Sequence, residues 1–187
     1  TATPEGDVDI PEVGGTYNRV TSSPVDTLNP LYNTEAGAGT LIGYALDMGY
    51  TFGPGNEQIP QLYELTTDDG GKTWTGKVRE NLQFGADYGQ VTAEDFVYLV
   101  NEVHKSDWAA TSAASSWPET TTIEQTGEFE FEITLESANL LYPATYDPLM
   151  YPIPKDLLQP YVEDEDQQGL EEDEELLNLE FTGNLGA

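Results

Sequence analysis

Few residues in this chain have the chemistry of a reaction centre. There is one histidine, His104, and no cysteine. Thiolate nucleophiles, disulfide frameworks and Cys-ligated zinc or iron–sulfur sites are therefore excluded. His104 follows the apolar positions Val100 and Val103 at the expected end of a helix, where the helix dipole favours an imidazolium. No serine–histidine–acid grouping can be argued around it. Carboxylates, in contrast, number 35. Paired acids cleave glycosides, but at this density any pair is expected by chance, and nothing singles one out for a carboxylate-based hydrolase.

The stretch "DEDQQGLEEDEE" comes nearest to a defined site. Asp164, Asp166, Gln168, Glu172 and Glu175 fall at the first, third, fifth, ninth and twelfth positions of an EF-hand calcium loop, with Gly169 at the sixth. Against that reading, Gln168 is a poor fifth ligand and Glu171 stands where an apolar residue belongs. Pro160 interrupts the incoming helix, and no second loop is present to pair with. A solvated acidic helix and loop is the simpler reading.

The composition narrows the class further. Six Lys and Arg residues against the acids give a net charge of -29. Such a surface repels nucleic-acid phosphates and anionic lipid. The acids run along the whole chain, not in one tail, so a salt-adapted surface screened by mobile cations explains them best. Tyr 11, Trp 3 and Phe 6 supply material for a core, and the 187 residues suffice for one ordinary domain or two small ones. No apolar run approaches the ~20 residues of a membrane-spanning helix.

The elements follow from local pattern. Residues 1–13, with Pro4 and Pro11, read as a linker. "TYNRVT" reads as a short strand. "AGAGTLIGYALDMGY" reads as a helix with Leu41, Tyr44, Ala45 and Met48 on one face. After the turn Asp68–Gly71, Trp74, Gly76 and Val78 alternate with Thr75, Lys77 and Arg79 as a half-buried strand. Thr92 and Asp95 form a capping box, flanked by the staple pair Val91 and Phe96. "TIEQTGEFEFEITLE" reads as a hairpin whose second arm puts Phe129, Phe131, Ile133 and Leu135 on one face and acids on the other. A short helix is expected after Pro154. The ending "FTGNLGA" reads as a glycine-rich turn with nothing to close the fold.

These motifs occur in a familiar order. "GGTYNRVTSSPVDTLNP", "DDGGKTWTGKVRENLQF", "VTAEDFVYLVNEV", "GEFEFEITLE", "PIPKDLL" and "FTGNLGA" together resemble the extracellular solute-binding proteins of peptide-type (dipeptide, oligopeptide and nickel) ABC importers. The resemblance runs from about Gly14 to the last residue. Asn29 stands where the family's "LDP" signature has aspartate. Gly76 replaces a usual aromatic, which weakens that strand's packing, and "FGADYGQ" replaces the usual "FHDGTP" turn. The acidic excess looks like that of a member from a halophilic archaeon.

The resemblance implies a mixed α/β fold, part of the periplasmic-binding-protein-like type II architecture. Residues 14–39 and 149–187 would form part of a ligand-binding lobe, and 40–148 a β-rich accessory subdomain. The chain would be the N-terminal part of a longer, exported protein, anchored at the outer face of the membrane through an N-terminal region not included here. It would capture peptides or similar small solutes, deliver them to a membrane permease, and be neither an enzyme nor a cofactor protein. Thr21, Ser22, Ser23, Trp108 and Trp117 would face the ligand. Each also has a plain structural role open to it: a turn before Pro24 for the hydroxyls, core anchoring for the indoles. Lys77 and Arg79 would pair with acids of neighbouring strands. A cut face and open sheet edges would favour self-association. The alternative from another class is a secreted acidic calcium-binding or cell-surface interaction module.

Overall fold

The computed structural model describes residues 25–145 and 151–185. The lead-in 1–13 and the strand expected at "TYNRVT" lie outside them. Among the described residues six strands form two antiparallel sheets. β1 (Tyr50–Phe52) pairs with β2 (Gln58–Pro60). β3 (Tyr63–Thr66), β4 (Thr73–Val78), β5 (Thr122–Gln125) and β6 (Glu130–Thr134) form a four-stranded sheet in the order β3-β4-β6-β5. The expected hairpin is β5–β6, and Phe131 and Ile133 alternate inward against exposed Glu130 and Glu132.

Two helices flank this sheet in sequence. α1 (Ala36–Ala45) precedes it. Its buried positions are Ala38 and Ile42, continued by Leu46, while Tyr44 is 53% exposed. The buried stripe is therefore rotated from the expected one: the small Ala38 permits close approach, and Tyr44, the bulkiest member of the expected face, points to water. α2 (Ala93–Tyr98) lies between β4 and β5 in the chain and packs on β5 and β6. Its start is built as the sequence dictates. The Thr92 amide and hydroxyl donate to Asp95 Oδ2 at 2.9 and 3.1 Å, and Val91 and Phe96 are fully buried. The helix continues as a widened π-type turn over Leu99–His104, where the Lys105 amide donates to Val100 O at 3.0 Å.

Aromatic rings fill the space between α2 and the sheet. Tyr63 meets Phe96 and Phe131 edge-on, with ring centroids 5.3 and 5.4 Å apart, a favoured arrangement. Gly76 belongs to this core. A Cβ built there would overlap the Phe131 ring from the neighbouring strand. The missing aromatic of β4 is thus replaced by Phe131 lying over the glycine, and the packing is filled, not weakened.

The chain then turns through α3 (Tyr142–Thr145) and returns as three helices, α4 (Lys155–Asp164), α5 (Gln167–Glu172) and α6 (Glu174–Asn178). α4 runs through Pro160 without ending there. Leu157, Leu158, Leu170 and Leu176 anchor these helices in the core. The last described turn packs onto the core. Phe181 and Leu185 are fully buried, and the segment is stitched by backbone bonds to residues 83–85.

Lys77 and Arg79 do not pair as expected. Lys77 lies in register between Glu64 and Glu130, yet the ion pair found among the described residues is Lys155–Glu94. Arg79 donates to the carbonyl of Pro60 at 2.6 Å. No helix among the described residues is long and apolar enough to cross a membrane.

Candidate functional site

A seam joins the early loop at 29–34, the loop at 106–117 and the segment entering α4. It starts from Asn29, which is fully buried. Asn29 Oδ1 accepts the Leu31 amide at 3.0 Å, and its Nδ2 donates to the carbonyls of Leu170 and Glu171 at 2.9 and 3.3 Å. Those carbonyls belong to the last turn of α5 and would otherwise lack partners. The next residues hold the second loop. The Ser112 amide and hydroxyl both donate to Leu31 O, at 2.8 and 2.9 Å, and the Tyr32 hydroxyl donates to Ala109 O at 2.9 Å. Burial, with Glu171 nearby, pushes the Tyr32 phenol up to about 12.

The seam borders a partly open cavity of about 260 Å³. Pro30, Leu31, Leu99, Ala113 and Ile153 supply apolar wall, and Asn33, Thr34, His104, Ser112 and Tyr151 supply polar atoms. Among the described residues, no carboxylate, ammonium or guanidinium lines it, although the chain carries 35 acids. His104 is 4% exposed, with its Nδ1 2.8 Å from Thr111 Oγ1. Burial lowers the imidazole from its ordinary 6.5 to about 4, so it is neutral near pH 7. Its expected role as a charged helix-end residue gives way to that of a buried, uncharged one. Burial also raises the Tyr151 phenol.

Asp95 ties the seam to the helices beside it. Its Oδ2 completes the cap of α2, and its Oδ1 accepts the Lys155 amide, the first of α4, at 3.1 Å. One carboxylate thus caps two helices, and burial pushes it above the ordinary aspartate range.

The sequence-predicted positions fall variously. Thr21, Ser22 and Ser23 lie outside the described residues. Trp108 is half-buried against the core beside the stitched Ala109. Trp117 is 4% exposed, and its buried indole N–H has no partner among the described residues. Neither indole lines the cavity. The segment with the EF-hand spacing folds mostly as helix. Residues 167–172 and 174–178 are helical, so the segment is not an open loop. Asp166 Oδ1 accepts the Gly169 amide, Gln168 donates to Glu172, and Glu175 accepts the Tyr88 hydroxyl, while Asp164 ends α4. No cluster of three or more side chains suited to a metal ion occurs among the described residues. Sequence reasoning missed the lining groups of Asn33, Ser112 and Tyr151, which no local motif marks.

A half-polar cavity at a junction of loops has the character of a site that can hold a small molecule. Fold and site together define a solute-binding class. The chain belongs to the bacterial extracellular solute-binding proteins, family 5, whose middle-region model matches residues 57–182. The fold is similar to that of the oligopeptide-binding protein AppA from Bacillus subtilis, solved with a nonapeptide, at 18% identity and a TM-score of 0.63 over 80% of this chain and 30% of that one. It is also similar to NikZ from Campylobacter jejuni, solved with Ni(L-His), at 16% identity and a TM-score of 0.59 over 73% and 27% of the two chains. A dipeptide binding protein from Pseudoalteromonas sp. SM9913, solved with Met-Leu, gives 15% identity and a TM-score of 0.64 over 77% and 32%. The chain therefore spans about 30% of the length of such structures. No curated protein sequence matches it.

Proposed function

We propose that this chain is the N-terminal part of the substrate-binding component of an ABC importer, exported and anchored at the outer face of the membrane. It would capture peptides or similar small solutes there and deliver them to a membrane permease. The match of the family model across residues 57–182 carries this reading. Within it, the described parts of 14–39 and 149–187 form one ligand-binding lobe, and 40–145 the accessory subdomain. The Asn29 bonds to Leu170 and Glu171, which join the two ends of the chain, support that division. Ligand binding would shift an open–closed equilibrium about a hinge, and the closed state would engage the permease. Trp108, beside the seam, is the stronger of the two indole candidates for facing ligand, and Thr21, Ser22 and Ser23 stand with it. The dispersed acids support a salt-adapted, halophilic source.

Calorimetry on the full-length gene product in molar salt tests the reading. Saturable binding of short peptides, with no turnover, is expected. A product that ignores a broad peptide panel and nickel–histidine overturns it.

A further inference from the structure

The His104 ring is fixed on one side. Thr111 is 5% exposed, and its hydroxyl meets only His104 Nδ1 among the described residues. A buried hydroxyl proton needs an acceptor. If Nδ1 carried the ring proton, it would donate to Thr111 Oγ1 and leave the hydroxyl proton stranded. If the hydroxyl donates to Nδ1 instead, both groups are satisfied and the ring proton resides on Nε2. Among the described residues Nε2 has no hydrogen-bond partner, and His104 lines the cavity.

Asn33 adds a second donor to the wall. Asn33 already uses its oxygen to accept the Glu35 amide at 2.9 Å, leaving its amide N–H groups as donors. Ser112 spends its hydroxyl proton on Leu31 O, so toward the cavity its oxygen can only accept. Among the described residues that line the cavity none carries a charged side chain to neutralise an ionic ligand group, and an unpaired charge would lose its hydration on entry.

We propose that His104 is a specificity-determining residue of this cavity, presenting Nε2–H to a carbonyl oxygen of an uncharged amide and rejecting free carboxylates and ammonium groups. This rests on the solute-binding reading and narrows its substrate class to the neutral interior of a peptide or a neutral amide side chain, not a charged terminus.

His104 is the one histidine of these 187 residues; in the full-length product its imidazole nitrogens are assigned by comparison with His104→Gln and followed by long-range proton–nitrogen NMR. At neutral pH, Nε2 should show a protonated signal and Nδ1 an unprotonated one. The opposite tautomer overturns the proposal before any ligand is added. Capped dialanine, acetate and methylammonium are then titrated separately. The capped probe should move the Nε2 signal, and the two ions should not. His104→Gln, which keeps a donor, should retain most of that affinity, whereas His104→Phe should lose about tenfold, as expected for one hydrogen bond. A silent Nε2 with the capped probe, or an equal response to acetate, sinks the idea. Peptide binding by the full-length product with Nε2 silent would leave the importer reading standing. The expected tautomer and probe response in a product that binds no peptide would remove the importer reading alone.

Discussion

Asn29 and Asn184 make the same kind of link in opposite surroundings. Each accepts a backbone amide through Oδ1 and donates from Nδ2 to backbone carbonyls distant in sequence. Asn29 accepts from Leu31 and donates to Leu170 and Glu171. Asn184 accepts from Gln83 at 2.7 Å and donates to Asn81 at 3.0 Å. Asn29 is fully buried, whereas Asn184 is exposed. Water can replace the bonds that Asn184 makes, but not the buried ones that join Asn29 to Leu31 and Leu170. The same side chain is therefore indispensable in one place and a fine adjustment in the other. Near Asn184 the docking is done by backbone, with Asn184 N donating to Gln83 O and Gly85 N to Phe181 O at 3.0 and 2.8 Å.

The sharpest way to break this comparison is Asn29→Asp, which installs the residue the family's signature carries. A carboxylate oxygen would face the Leu170 and Glu171 carbonyls with no proton to give. A buried, uncompensated charge costs about 3–5 kcal/mol, read as a lowered denaturant midpoint at unchanged slope. Burial raises such a carboxyl's pKa, and its protonated form can donate once more. The deficit should therefore shrink as pH falls. A deficit that is small and constant with pH would mean that Asn29 is not a sealed node.

How much of this is visible in the residues depends on range. The Thr92–Asp95 cap and the alternation of Phe131 and Ile133 are local, and both appear as read. The buried face of α1 differs from the expected one because Ala38 and Ile42 are selected by what they pack against, not by bulk. Gly76 looks like a defect until Phe131 is seen across the strand. Asn29 looks like a neutral swap until its partners arrive 141 residues later. No local period encodes a contact of that length. The cavity is hidden for the same reason, since it is assembled from four stretches of chain: 30–34, 99–104, 112–113 and 151–153.

Acid should strain the buried seam through His104. Its folded pKa of about 4 lies below the ordinary 6.5. The unfolded chain takes up the proton first, so this contribution is complete above about pH 6.5 and is lost progressively as pH falls toward 4. A tenfold difference in proton affinity between the two states is worth about 1.4 kcal/mol, so the loss approaches ~3 kcal/mol. Relief of repulsion among the acids works in the opposite direction. The measurement is therefore the difference in pH dependence between the parent and His104→Gln. Parallel curves would show that the imidazole is solvated after all.

At the exposed link the backbone should matter more than the side chain. Gly183 has φ 56° and ψ -116°, and a Cβ there would overlap the Gln83 carbonyl and its neighbours. Gly183→Ala combines backbone strain with a clash against atoms that cannot rotate away, worth about 2–3 kcal/mol. Hydrogen exchange should rise at Gly85 and Leu185, whose amides donate across or within this turn.

Asn184→Ala should do least. It removes two side-chain bonds but leaves the backbone bond from residue 184 to Gln83 O and the buried Phe181 and Leu185 in place. The orphaned Gln83 amide and Asn81 carbonyl lie at the surface, where water can satisfy them. The cost is then the net value of exposed hydrogen bonds, about 0.5–1.5 kcal/mol. Comparing it with Asn29→Ala isolates burial as the variable, because the deleted atoms are identical. If the two alanine variants lose equal stability, then the length of chain each asparagine bridges, which is alike in both, sets the value of the link, and solvent access does not.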